Sequence, residues 1–278
     1  MPHAGLNIDS HLRLLKERFG LAPVMACEVE WYLLPREAGV DEDALMENCI
    51  AKIKLRAEEK KLPLHSVERE RGHLQMEAAL YPERNINTLI AHYKTLIKII
   101  ERTASDLDAR ADFSAKPKAN DYGSGIHVHV HLEAAGGGCV FKKEEGALSA
   151  PLRHAIGGLL ATMEENIAVF IPHEASWRRI EKGFHAPVNI SWGFNNRTTA
   201  IRLPDSAGQY TGAEEIAAAP PGKYKRIEHR VAGSDADFEQ VIAAILAGIV
   251  KGLSEKMEPS APIHGDASDA QYALKAFK

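Results

Sequence analysis

Apolar residues recur at helical spacing in four stretches of the chain. Residues 41–61 open on Asp41 and place Leu45, Cys49 and Ile53 on one face. Residues 83–109 carry Ile86, Leu89, Ile90, Tyr93, Leu96, Ile97 and Ile100. Residues 151–170 carry Leu152, Ile156, Leu159, Leu160, Met163 and Ile167 behind a first-turn proline, and residues 237–253 carry Phe238, Val241, Ile242, Ile245, Leu246 and Ile249. Each pattern predicts a helix with one face in the core. Between them, residues 24–34, 63–70, 74–80, 126–132, 187–193, 199–204 and 223–231 alternate in character and predict strands. Gly136-Gly137-Gly138 and Ala219-Pro220-Pro221-Gly222 mark turns, and periodicity is lost from residue 254 onward. No repeat or linker divides the sequence. The expectation is one α+β domain over residues 1–278, a curved and mostly antiparallel sheet packed with long helices, with an irregular tail over 254–278.

The strands are unusual in what their second face carries, since residues two apart point the same way. Behind the turn Gly123-Ser124-Gly125, the apolar Ile126, Val128, Val130 and Leu132 alternate with His127, His129 and His131. Glu28 and Glu30 share a face opposite Val29, Trp31 and Leu33. Glu70 and Glu77 flank a glycine turn, Arg226, Glu228 and Arg230 share a face, and Arg197 and Arg202 bracket a further strand. Any one of these faces reads equally well as solvated surface, with ion pairs worth under about 1 kcal/mol. All of them together are another matter. Neighbouring carboxylates on a strand repel unless a cation holds them. Hard divalent cations such as Mg²⁺ and Mn²⁺ take carboxylate oxygens with an occasional imidazole. Arginine forks match phosphate oxygens. The chemistry that needs both is phosphoryl transfer from a nucleotide. Walker, kinase glycine-loop and dinucleotide fingerprints are absent, so the nucleotide site has another design.

Composition narrows the setting. The chain has 278 residues, 45% hydrophobic and 26% charged, with a net charge of −4. Acidic and basic residues are intermixed, which excludes the basic footprint of a nucleic-acid binder. Cys27, Cys49 and Cys139 are far apart and lack metal-knuckle spacing, which fits a reducing compartment. With no signal segment and no membrane-spanning apolar run, the expected location is the cytoplasm.

In chain order, Glu28-Val29-Glu30-Trp31-Tyr32, Glu70 with Gln75-Met76-Glu77, Lys116-Pro117, Gly123 through His129, Ser176 through Arg179, Ala186 through Trp192, Asn196-Arg197, Ile201 through Pro204 and Arg226 through Arg230 form an ordered set. This set resembles the catalytic domain of the glutamine synthetase superfamily over about residues 20–255. The resemblance implies the glutamine synthetase/guanido kinase-like fold. It also implies an ATP-dependent carboxylate–amine ligase that makes γ-glutamyl phosphate from glutamate and transfers the acyl group to ammonia or an amine. By that resemblance Glu30, Glu70 and Glu77 hold one Mg²⁺ or Mn²⁺ near the glutamate, and Glu28, His127 and Glu228 hold a second beside the nucleotide phosphates. Arg197, Arg202 and Arg226 match phosphate-facing positions, and Gly123, Arg179 and Arg230 match glutamate-binding ones.

The departures from the family pattern are specific. Members usually carry a β-grasp domain before these motifs, which covers the active site of the neighbouring subunit. Here Glu28 lies near the start, so the expectation is self-association or a partner that supplies the missing part. His73-Leu74 stands where Pro-Gly is usual, and Asp121-Tyr122 precedes Gly123 in place of the usual residue. The chain also stops before most of the family's C-terminal helical region. His185 stands where glutamine synthetases have a glutamate that closes the site and helps take a proton from ammonium. A histidine, neutral or cationic near pH 7, cannot attract ammonium as a carboxylate does. Ser191-Trp192-Gly193-Phe194-Asn195-Asn196-Arg197-Thr198 resembles the branch that joins glutamate to amines and polyamines, so an organic amine is the expected acceptor, with His185, Arg179 and Arg230 as catalytic residues. The alternative expectation is an inactive nucleotide- or glutamate-binding scaffold, or a subunit that needs a separate β-grasp partner.

Overall fold

The computed structural model describes residues 7–144, 147–204 and 225–277. The turn expected at 219–222 and the first residues of the strand expected from 223 lie outside the described residues. The chain opens with α1 (Ile8–Phe19), capped by the Asn7 side chain, which accepts the Ser10 N–H at 2.9 Å, and ended by Gly20 in the left-handed region. This helix is missing from the sequence expectations, although Ile8, Leu12, Leu15 and Phe19 recur at helical spacing and pack against the core. Asn7 and Gly20, a cap and a stop, were readable signals too.

The elements that follow are β1 (Leu21–Pro35), α2 (Glu42–Glu59), β2 (Leu64–Arg69), β3 (Gln75–Leu80), α3 (Ile86–Asp106), β4 (Ala109–Asp112) and β5 (Ile126–Ala134). After them come α4 (Ala150–Ala161), α5 (Ile167–Phe170), a 3-10 turn (Glu174–Arg179), β6 (Trp192–Phe194), β7 (Ile201–Leu203), β8 (Ile227–His229) and α6 (Phe238–Glu255). Asp41, Asn85 and Asp237 each cap their helix by accepting the N–H three residues on.

Two expectations are corrected. The helix expected over 151–170 is two: α4 stops at Thr162, whose hydroxyl donates to the Gly158 carbonyl at 2.9 Å, and the Asn166 amide donates to the Thr162 carbonyl at 3.0 Å. These local bonds compete with the helical ladder. Of the strand expected over 187–193, only the end at β6 forms. The polar groups here bond instead to the C-terminal segment. The Ile190 N–H donates to the Lys275 carbonyl at 2.8 Å, and the Trp192 indole to the Ser260 carbonyl at 2.7 Å.

Among the described residues the strands form one sheet in the order β2-β3-β1-β5-β8-β7-β6, with β4 also pairing with β1, and of these pairs only β6 and β7 run parallel. One face is apolar. Val29, Trp31, Leu33, Ile126, Val128, Val130 and Leu132 are buried on it, in the same core as residues of α1, α3, α4 and α6. The other face collects the charges. Cross-strand partners there are Glu30 with Glu77, Glu28 with His127, His129 with Glu228, and Glu228 with Arg202. Among the described residues no helix is long and apolar enough to cross a membrane.

Candidate active site

The charged face of β1, β3, β5 and β8 brings together five of the six expected metal ligands. Donor atoms of Glu28, His127 and Glu228 lie within 4.8 Å of one another, and so do those of Glu30, Glu77 and His127. His127 therefore belongs to both groups. Its Nδ1 faces Glu28 at 3.4 Å and Glu228 at 3.8 Å, while its Nε2 is 3.9 Å from Glu30. Glu70 is in neither group, although it lines the same cavity as Glu30 and His127. Of the histidine row, His129 places Nε2 at 3.0 Å from Glu28, and His131 faces only Glu133 at 3.4 Å, away from the cluster.

The carboxylates divide by their neighbours. Burial pushes the Glu77 carboxyl up, and Glu28, Glu30, Glu70 and Glu68 add to it, so it lies well above the usual range. Burial and then Glu30 also raise Glu70. Glu28 and Glu228 go the other way. Burial opposes their ionisation, but His129 and His127 outweigh it at Glu28, and Arg230 with Arg202 at Glu228. The Arg202 fork reaches Glu228 at 2.7 Å, and Arg230 bonds to the other oxygen of the same carboxylate. Removing any member of this buried group would strand a charge.

A second set of residues shapes the cavity beside Glu30. The Gly125 N–H donates to Glu30 Oε2 at 2.7 Å. Gln75, 1% exposed, accepts the Gly72 N–H at 2.9 Å and donates to the Gly123 carbonyl at 3.0 Å, which fixes both glycine turns. Arg179 passes directly behind Gly123 and Gly125. A Cβ on Gly123 would come within 2.7 Å of its Cγ, and one on Gly125 would strike its guanidinium. Both terminal nitrogens of Arg179 donate to backbone, to the carbonyls of Val231 and Arg230 at 3.0 Å each. Burial lowers it to about 10. Arg179 thus lines the cavity, but its fork holds the β8 exit. Arg226 sits at the other end of the cluster, where its Nε reaches His129 Nδ1 at 3.3 Å.

Arg197 and Arg230 line the cavity with Glu30, Glu70 and His127, and Tyr122, Phe184 and His185 line it too. His185 sits in the left-handed region at φ 55°, and its Nδ1 is buried without a hydrogen-bond partner among the described residues. Burial lowers its pKa, and Arg71, Arg197 and Arg230 lower it further against Asp266, which favours the neutral ring. The sequence reading missed Arg71, Tyr122 and Phe184 as wall residues. None carries a period signal, because all three sit in turns or loops.

The donor chemistry fits two hard divalent cations. It consists of carboxylates with one imidazole, in two overlapping groups, with crowding at Glu77 that a cation would relieve. His127 Nε2 is also buried without a hydrogen-bond partner among the described residues.

Comparison with known proteins agrees with this picture. Residues 35–276 match the family described as glutamine synthetase, catalytic domain. The chain is 28% identical to gamma-glutamylputrescine synthetase PuuA of Escherichia coli K12, over 92% of this chain and 56% of that protein. It is 36% identical to glutamate–isopropylamine ligase of a Pseudomonas species, over 60% of this chain and 34% of that one. It is 33% identical to glutamine synthetase of Streptomyces coelicolor, over 71% of this chain and 41% of that one. Among solved structures, a GmaS chain in complex with ADP superposes with a TM-score of 0.79 at 21% identity, covering 99% of this chain and 64% of its own. That likeness establishes the fold. The chain thus spans about half the length, or less, of the curated relatives it matches. The match over most of its residues shows that the chain belongs to the glutamine synthetase catalytic-domain family.

Proposed function

We propose that the protein is an ATP-dependent ligase that activates the side-chain carboxylate of glutamate as an acyl phosphate and passes the acyl group to an organic amine. The observation that carries this reading is the pair of three-donor groups sharing His127, with Arg197 and Arg230 lining the adjoining cavity. Glu28, His127 and Glu228 would hold one Mg²⁺ or Mn²⁺, and Glu30 and Glu77, joined by Glu70 or His127, the other. When bound, these cations neutralise the charge that builds on the transferred phosphoryl group. Arg197, Arg202 and Arg226 face the phosphates, and Arg230, Gly123 and Arg179 shape the glutamate side. His185 faces the acceptor. As the amine nitrogen bonds to the acyl carbon, the carbon–oxygen bond to phosphate breaks, phosphate leaves with the electron pair, and the neutral imidazole takes the proton from nitrogen. The relatives whose names specify an amine, putrescine and isopropylamine, support an organic acceptor over ammonia.

The test is ADP release by the purified chain with Mg²⁺ or Mn²⁺, glutamate and a panel of primary amines. ADP formation that requires both glutamate and an amine, and that is lost in Glu228→Ala, supports the ligase. A second reading, a nucleotide- or glutamate-binding protein without turnover, is favoured by Arg179, whose terminal nitrogens are both taken by backbone carbonyls. Tight ATP binding with no ADP under any amine would select it. Activity that appears only when a separate β-grasp domain is added would identify the chain as one part of a two-part enzyme, as the expected self-association or partner implies.

A further inference from the structure

Lys116 is buried with its side chain fully inaccessible, yet it is not part of the metal cluster. Its Nζ makes no hydrogen bond to any described residue. It stands 3.3 Å from Glu181 Oε2 and 3.6 Å above the centre of the Phe184 ring. Both partners lie on the loop that carries His185. Phe184 sits between Gly183 at φ 96° and His185 at φ 55°, two left-handed residues that turn the ring inward and set the imidazole against the cavity. The Phe184 ring then meets Tyr122 edge-on at 5.8 Å, and Tyr122 lies 6.1 Å from the His185 ring. Residues 180–187 form no helix or strand. Their other charged tie is a long pair between Lys182 and Asp269 at 3.7 Å on the exposed surface.

We infer that Lys116 is a positioning residue for the acceptor side of the site: its buried ammonium, clamped by the Glu181 carboxylate and the Phe184 ring face, holds the 180–187 loop against Tyr122 and so sets the place of His185. The physical argument is an asymmetry of cost. If the loop lifts, the ammonium loses both partners while still surrounded by protein, and an unpaired buried charge is far more costly than a broken surface pair. The closed loop is thereby favoured without any contact to substrate. A cation over an aromatic face gains most where water is excluded, as it is here. Since Lys116 stands in the segment that leads into the Gly123 turn, the same residue ties the glutamate side of the cavity to the acceptor side.

The inference rests on the proposed ligase reading only for what His185 does; the clamp itself can be measured without turnover. The experiment compares wild type, Lys116→Met, Glu181→Gln and the double variant of the full 278-residue chain. Amide exchange of residues 181–186 and tryptic cleavage after the exposed Lys182 report the loop. Each single variant should accelerate both by about tenfold or more, and Glu181→Gln, which leaves the ammonium stranded, at least as much as Lys116→Met. The double variant should be no faster than Lys116→Met, because the two side chains act as one unit. With turnover in hand, KM for the amine should rise about tenfold, while KM for ATP stays within about twofold. Loop exchange equal to wild type in both singles would overturn the inference, as would strictly additive effects in the double variant. If Lys116→Met does not fold, Glu181→Gln alone decides, since Glu181 is half-exposed and the swap removes no core volume. Absence of ADP formation in wild type would remove the ligase reading and leave the exchange result standing.

Discussion

Glu30 and Gly125 are tied to each other twice. The Glu30 backbone N–H donates to the Gly125 carbonyl at 3.0 Å, and the Gly125 N–H donates to the Glu30 carboxylate at 2.7 Å. One residue of the glycine turn, through its N–H and its carbonyl, thus fixes both the strand and the side chain that the cluster needs. Gly125→Ala should break this arrangement, because the new Cβ meets the Arg179 guanidinium and comes within 3.0 Å of the Ala232 carbonyl. A loss of about 1–3 kcal/mol in stability is expected, read by urea unfolding, with weaker Mn²⁺ binding by calorimetry. Wild-type values for both would show that the turn has room to spare.

The crowding at Glu77 predicts that divalent cations stabilise the chain. At a hundredfold excess over Kd, Mn²⁺ should add about 2.7 kcal/mol, visible as a rise in the melting temperature that Ca²⁺-free EDTA reverses. Glu77→Gln removes one carboxylate from the crowd and should leave the metal-free protein at least as stable while reducing the rise. Glu228→Ala should behave differently, since it strands Arg202 and Arg230 and destabilises the metal-free protein by about 3–5 kcal/mol.

Leu74 occupies the left-handed region at φ 67°, in the position where family members have the glycine of Pro-Gly, and it is 6% exposed. Replacing it with glycine relieves about 1 kcal/mol of backbone strain. It also removes a buried leucine worth about 1.5–3 kcal/mol. Burial wins, so Leu74→Gly should lower stability despite restoring the family residue. A higher unfolding midpoint in the variant would show that strain dominates.

His185 predicts a pH effect of definite sign. Its folded pKa lies below the ordinary 6.5, so the unfolded chain takes up the proton first as pH falls. The stability it contributes is complete above about pH 6.5 and is lost as pH falls through the lower folded value. His185→Asn should flatten the decline in stability between pH 7 and pH 5. In an activity assay His185→Glu should move acceptor preference from alkylamines toward ammonium, and an unchanged ratio would detach His185 from acceptor choice.

Most of the charged face was legible in the sequence because strands have a period of exactly two residues on paper and nearly so in space. Glu28 and Glu30, His127 and His129, and Glu228 and Arg230 could be set on one side before any contact was known. Loops obey no such period. Tyr122, Phe184 and Arg71 became wall residues only through tertiary packing. The break between α4 and α5 has no proline or glycine to mark it, only Thr162 and Asn166 bonding back to the helix. Arg179 shows the remaining limit. Its place behind the glycine turn follows from the motif, whereas the direction of its fork depends on where the Arg230 and Val231 carbonyls end up.

His127 belongs to both donor groups, and a neutral imidazole has a single free lone pair. Only one group can spend it at a time. A cation held by Glu28 and Glu228 would take the Nδ1 lone pair, leaving the Nε2–H on the Glu30 side. The cation at Glu30 and Glu77 must then find its third ligand elsewhere in the cavity, and Glu70 is the carboxylate standing there. Glu70 would thus complete the second group whenever the first is filled, so His127 would make the ligand set of one site depend on the occupancy of the other.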